Sequence, residues 1–384
     1  MKNSHLGTAL QYRKKLERKS SSTLEGIDEG AGNSFNASEV NDRLENSKQG
    51  LYNLIETYFD DDKKLKKIAD EILQQGGDPL RAVANDDDTY LNDNPDSTGL
   101  LEVIVQTDGS RPSFLIRNNK VEYDSSPLGD WDDKLVVSAN DLNDAIQCVG
   151  RININQRQIG TGFLVKRNLI VTNRHVLQAI GRQQQNREWT INPGAYIDFG
   201  YEFKGLSSVN PREIEKVVYC GPQLIDGQHI DHSKLDFALL QLETVPDEMV
   251  PLRLLNWNDS KEWASPETGI YIIGYPGDPG LSGIATYTAS LLDKLFKQTY
   301  GCKRLAPGKV LPAGSTNQPM TVSHDATTLG GNSGSLILTI ADGRRASGLH
   351  YGGELAAPRQ NWGHILGYVL SEIQQTDPAV YNLI

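Results

Sequence analysis

Two rhythms of apolar positions divide the chain. Val40, Leu44, Leu51, Leu54, Ile55, Tyr58 and Phe59 recur at three- and four-residue steps, which predicts an amphipathic helix from about residue 38. Leu65, Ile68, Ala69, Ile72 and Leu73 predict a second, capped by Asp61 or Asp62 and stopped by Gly76-Gly77. Asp78-Pro79 then opens a third, short helix through Val83. Each carries one apolar stripe that must be buried, so residues 38–84 form a small helical module. It packs on itself or on the body of the protein, or it receives a partner.

Beyond residue 146 the rhythm changes to short apolar runs at 162–165, 169–172, 195–199, 237–242, 270–274 and 336–338. Turn residues separate them and no long helix intervenes, which predicts an all-β barrel or sandwich closed by a terminal helix over 367–375. The connecting regions are less regular. Residues 1–37 are polar after a short basic segment and are expected to be mobile. Residues 85–99 read as an acidic linker lacking the Gly-centred pattern and closing Glu of a calcium loop. The runs 101–105 and 112–117 read as strands joined through Asp108-Gly109, within a short β-rich accessory segment over 100–145.

Composition narrows the function. Thirty-six glycines and seventeen prolines in 384 residues supply many turns and favour β architecture. A formal charge of −11 argues against general nucleic-acid binding, which needs clustered Lys and Arg. The basic stretch Arg13 to Lys19 is followed by no apolar core, so neither a secretory signal nor a membrane span is expected. Cys148, Cys220 and Cys302 are odd in number and far apart, which predicts reduced thiols, a cytoplasmic setting and no metal site; no cofactor is implied. Cys302 lies in a long insertion, 277–312, that could line a substrate cleft.

The densest chemical signal is Thr327-Thr328-Leu329-Gly330-Gly331-Asn332-Ser333-Gly334-Ser335, a serine on a glycine-rich turn leading into the apolar run at 336–338. Serine is a weak nucleophile and needs a base, itself oriented by a third group. His175 follows the apolar run 169–172 where the chain turns, a position on a loop held by a rigid scaffold. Asp236 stands at the mouth of the run 237–242, whereas Asp226 and Asp231 lie in a polar loop and rank below it. The order His175, Asp236, Ser333 is that of one of the known triad arrangements.

Gly160-Thr161-Gly162-Phe163-Leu164-Val165 with Val171-Thr172-Asn173-Arg174-His175-Val176, and Gly331-Asn332-Ser333-Gly334-Ser335, resemble the conserved blocks of trypsin-like serine peptidases. The resemblance covers residues 146–384 and implies a mainly β fold of two six-stranded barrels with a cleft between them. It assigns His175 as general base, Asp236 as its orienter and Ser333 as nucleophile. The N–H groups of Gly331 and Ser333 would form the oxyanion hole, and a protein or peptide would be the substrate.

Departures from digestive trypsins refine the expectation. Asn332 precedes the nucleophile where those enzymes carry an aspartate, so activation by insertion of a new N-terminal amine is not expected. Thr327, six positions before Ser333, removes the basis for an Arg/Lys pocket. The segment 324–335, with His350 downstream, resembles the glutamyl endopeptidase branch, in which residues matching Thr328 and His350 contact an acidic P1 side chain; small or aliphatic P1 is the competing expectation. Fusion of a helical segment to such a peptidase resembles effectors of bacterial conflict and defence systems, with the helical module as the site of an activating protein partner. A rival reading is a catalytically silent peptide-binding adaptor on the same fold; another is an enzyme locked until a partner binds.

Overall fold

The computed structural model describes residues 7–17, 34–186, 188–209, 211–227, 229–244, 249–256, 263–277, 299–312, 318–328, 332–340, 344–354 and 360–384. Its N-terminal part comprises the helices α1 (Thr8–Leu16), α2 (Val40–Tyr58), α3 (Lys63–Ala84), α4 (Asp88–Asp93) and α5 (Pro95–Thr107). The stripes of α2 and α3 meet as expected: Leu51, Leu54, Ile55, Leu65, Ala69 and Ile72 bury together with Leu100 and Val103 of α5. Ala9, Tyr12 and Leu16 of α1 pack against Leu80, Val83, Leu101 and Ile104.

Several expectations for this region are corrected. Helix α1 occupies part of the stretch read as mobile, with Tyr12 and Leu16 fully buried; residues 18–33 of that stretch lie outside the described residues. Gly76-Gly77 does not stop a helix, because α3 runs on through Pro79 to Ala84. Gly76 instead permits close packing, since a Cβ there would lie 2.7 Å from Ile104 Cδ1. The acidic linker is largely helical: the Asp87 side chain caps α4 through the Tyr90 N–H, and Pro95 starts α5. The run 101–105 is helix, not strand. Its neighbours bury Leu100, Leu101, Val103, Ile104 and Val105 alike, and a short run apolar on all sides carries no periodicity to separate the two states.

The accessory segment continues as a hairpin, β1 (Phe114–Arg117) and β2 (Lys120–Glu122), and helix α6 (Asp132–Gln147). The first barrel follows. It takes β3 (Val149–Ile154), β4 (Arg157–Lys166) and β5 (Leu169–Thr172), then β8 (Ala195–Asp198), β9 (Arg212–Cys220) and β10 (Ala238–Leu242), closed in the order β10-β5-β4-β3-β8-β9. Between β5 and β8 lie α7 (Arg174–Ile180) and the small hairpin β6 (Gly181–Gln183) and β7 (Trp189–Ile191).

The second sheet holds β11 (Arg253–Leu254), β12 (Gly269–Gly274), β13 (Arg304–Lys309), β14 (Thr321–His324), β15 (Leu336–Thr339), β16 (Arg345–Gly353) and β17 (Asn361–Ile365). Its order is β14-β17-β16-β15-β12-β13, extended by β1 and β2, with β11 beside β16. A bridge between Val310 and His324 brings the end of β13 back to β14, so these six strands return on themselves. Strands β5 and β15 are buried at every position, covered on the outside as well as the inside, which is why their sequences run apolar without alternation; β17 is equally buried but carries the polar Asn361 and His364. Helix Leu366–Thr376 covers the end of the body.

Candidate active site

The two barrels meet through polar contacts that position the nucleophile turn. The Ser333 carbonyl accepts the Thr161 N–H from β4 at 2.8 Å, and the Gly334 N–H donates to the His350 carbonyl of β16 at 2.9 Å. Gly334 has φ +88°, and a Cβ there would lie 1.9 Å from the Thr161 carbonyl oxygen, so only glycine fits. The turn is thereby held from both sides, and the half-buried Ser333 lines a cleft of about 490 Å³.

His175 and Asp236 line the same cleft. His175 is not on a loop, as its sequence context suggests, but in the first turn of α7. Its backbone N–H donates to Asp236 Oδ1 at 2.9 Å, and its Nδ1 lies 2.6 Å from Oδ2. Asn173 Nδ2 donates to the Asp236 carbonyl, and the Asp236 N–H donates to His364 Nε2, so the carboxylate is fixed by its backbone as well. Burial pushes the Asp236 carboxyl up, and the adjacent His175, by charge and hydrogen bonding, outweighs that and holds it below the usual carboxylate range. An ionised Asp236 keeps the imidazole proton on Nδ1 and leaves Nε2 as the basic atom.

Thr328 and His350 also line this cleft, beside Asn361, to which no role follows from its sequence context. Thr328 Oγ1 donates to Asn361 Oδ1, and Asn361 Nδ2 donates to the Ala326 carbonyl. His350 Nδ1 lies 3.3 Å from Nε2 of the buried His324, another residue without a sequence-derived role. If His324 donates, the His350 proton sits on Nε2. Asp226 and Asp231 reach the cleft as well, with Glu354 and Lys234, but Asp226 engages His229 and Asp231 engages Ser233. Gly331 and residues 278–298 of the insertion lie outside the described residues. Burial raises the pKa of the Cys302 thiol, which reduces its thiolate character.

The buried histidines make stability depend on pH. Burial pushes His324 and His364 down to about 4 and His350 well below its ordinary value of 6.5. Between 6.5 and 4 the unfolded chain therefore binds protons that the folded chain does not. Stability is expected to fall with decreasing pH across that window, by about 1.4 kcal/mol per pH unit for each histidine at the steepest. Urea unfolding at pH 7 and pH 5 checks this; equal midpoints would contradict three neutral buried imidazoles.

The fold and the site define a serine endopeptidase of the trypsin-like class. A family model for the trypsin-like peptidase domain matches residues 160–346. A probable serine protease of Lysobacter enzymogenes is 30% identical over 275 residues, covering 66% of this chain and 69% of that protein. The chain belongs to the trypsin-like peptidases. Among solved structures, human heparin binding protein aligns at a TM-score of 0.42 with 13% identity, over 62% of this chain and 94% of that one. Neuropsin, a serine protease of mouse brain, aligns at 0.42 with 15% identity, over 61% and 95%. Among the described residues no helix is long and apolar enough to cross a membrane, and no group of three or more His, Cys, Asp or Glu could hold a metal ion.

Proposed function

We propose that the protein hydrolyses peptide bonds through an acyl-enzyme on Ser333, with acidic P1 residues preferred. Ser333 Oγ attacks the scissile carbonyl while His175 Nε2 takes its proton; the tetrahedral oxyanion is met by the N–H groups of Gly331 and Ser333. As the C–N bond breaks, His175 returns the proton to the leaving amine, and water then cleaves the ester by the same route. Asp236 fixes the tautomer and stabilises the imidazolium. The observation that carries this reading is the two-point grip of Asp236 on His175, N–H to Oδ1 and Nδ1 to Oδ2, inside the cleft that Ser333 lines.

The acidic P1 preference is supported by His350 and Thr328 on the same cleft wall. A neutral His350 donating from Nε2 can hydrogen-bond a carboxylate, and the Thr328 hydroxyl, which donates to Asn361 Oδ1 here, can join it by turning from that acceptor to the substrate. Asp226, Asp231 and Glu354 on the cleft outnumber Lys234. The preference for acid is therefore confined to the P1 position, and flanking residues should be neutral or basic. A peptide library in which P1 is varied is expected to give kcat/KM higher by about 10- to 100-fold for Glu than for Gln, the worth of hydrogen bonds to a charged group. His350→Ala should remove most of that ratio. An unchanged ratio in His350→Ala, or a preference for alanine or leucine at P1, would overturn the pocket assignment.

A further inference from the structure

The turn that carries the nucleophile is reached by the N-terminal module. Arg111 lies between α5 and β1, 4% exposed, and its Nη2 donates to Oδ2 of Asp325 at 2.7 Å; Asp325 is 5% exposed. Asp325 Oδ1 accepts the Lys309 N–H, and Thr327 Oγ1 donates to the Arg111 carbonyl at 2.7 Å. Arg111 thus holds 325 through its guanidinium and 327 through its backbone carbonyl, just before Thr328 of the cleft wall and eight and six positions before Ser333.

Arg111 is itself held by helix α1. Its Nη1 donates to the Lys15 carbonyl at 3.3 Å, and Arg43 of α2 donates to the next carbonyl, Leu16, while bonding Asp108 and Ser110. The C-terminal end of α1, where helix carbonyls favour cations, is satisfied by these two guanidinium groups. By contrast, among the described residues the Asn332 side chain makes a local bond, its Oδ1 accepting from Ser335 Oγ. Among the described residues, the buried ion pair on the segment leading to Ser333 is the one to Arg111.

We propose that Arg111 is a positioning residue of the active site: clamped by α1, it sets the 325–328 segment and with it the P1 wall, so that the N-terminal module is a working part of the peptidase. The module then regulates by construction. Whatever displaces α1 from Arg111 releases Asp325 and Thr327, and the cleft loses its shape without any change in His175 or Asp236.

The inference rests on Ser333 being the nucleophile, and the experiment separates the two claims. In the full chain, Arg111→Ala, Arg111→Lys, Asp325→Asn and Thr327→Val are compared with the unmodified protein for peptide hydrolysis, fluorophosphonate labelling and thermal unfolding. Arg111→Ala is expected to lower kcat/KM by about 100-fold, the scale of a misplacement near 1 Å, with KM raised and kcat lowered together. Arg111→Lys should recover part of the loss, and Arg111→Ala combined with Asp325→Asn should be no worse than Arg111→Ala alone, because both act through one pair. Thr327→Val exchanges the hydroxyl for a methyl at nearly constant volume, serves as the second variant should Arg111→Ala fail to fold, and should raise KM by several-fold. Folded variants of Arg111 and Thr327 that cleave as the unmodified protein does would overturn the positioning role, as would fully additive losses. Absence of Ser333 labelling in the unmodified protein would instead overturn the assignment of the nucleophile.

Discussion

Ser333→Ala is expected to lower kcat by about six orders of magnitude, the scale on which a triad nucleophile acts together with its base. The fold should be untouched. Ser333 holds its place through its carbonyl, which accepts the Thr161 N–H, and the next residue through the Gly334 N–H to the His350 carbonyl; alanine keeps both backbone bonds. Residual hydrolysis, faster than in water by binding and the oxyanion hole alone, should no longer respond to His175→Ala, because a base without its nucleophile has nothing to activate. Progress curves on a cleavable peptide at high enzyme concentration, with circular dichroism as the fold control, provide the check. Loss of less than tenfold in a folded variant would remove Ser333 from the chemistry.

The second large effect is Asp236→Asn, for which kcat should fall by about 10⁴-fold. The geometry gives the reason. One carboxylate accepts two bonds, His175 N–H at Oδ1 and the imidazole at Oδ2. An amide has one acceptor. With its NH₂ toward Nδ1, the imidazole must accept there and carry its proton on Nε2, where it cannot take the serine proton. With its NH₂ toward the backbone N–H, two donors face each other in a site where Asp236 is 4% exposed, at a cost of roughly 1–3 kcal/mol in stability. KM should change little, since Asp236 acts on the base and not on the substrate. Steady-state kinetics settle it: a fall in kcat/KM arising wholly from KM would contradict an orienting role.

These three residues are visible in the sequence because the chemistry restricts their types and because each sits at the edge of an apolar run: His175 after 169–172, Asp236 before 237–242, Ser333 before 336–338. The runs become β5, β10 and β15, and the edges face one cleft. Asn361 and His324 have no such marker. Their neighbours are set by register, His324 opposite Asn361 across β14 and β17, and His350 opposite Gly363 across β16 and β17. Pairing between strands far apart in sequence leaves no local trace. Arg111 is hidden for the same reason, since its partner Asp325 is 214 positions away.

Failures in the N-terminal region share another cause. Residues 101–105 have an apolar run that suits a strand or a helix enclosed on all sides, and only the packing of α1, α2 and α3 around it decides for the helix. Gly76-Gly77 looks like a stop because an isolated helix would end there. In the folded module the same glycine lets Ile104 approach, and tertiary contact outweighs propensity.

The intact protein is treated with a fluorophosphonate and the adduct is mapped by peptide mass spectrometry, beside His175→Ala. The prediction is a single adduct on Ser333 that forms rapidly in the unmodified protein and is lost in His175→Ala. An adduct on another residue, no adduct, or one on Ser333 that forms equally fast without His175 would contradict a Ser333 nucleophile activated by His175.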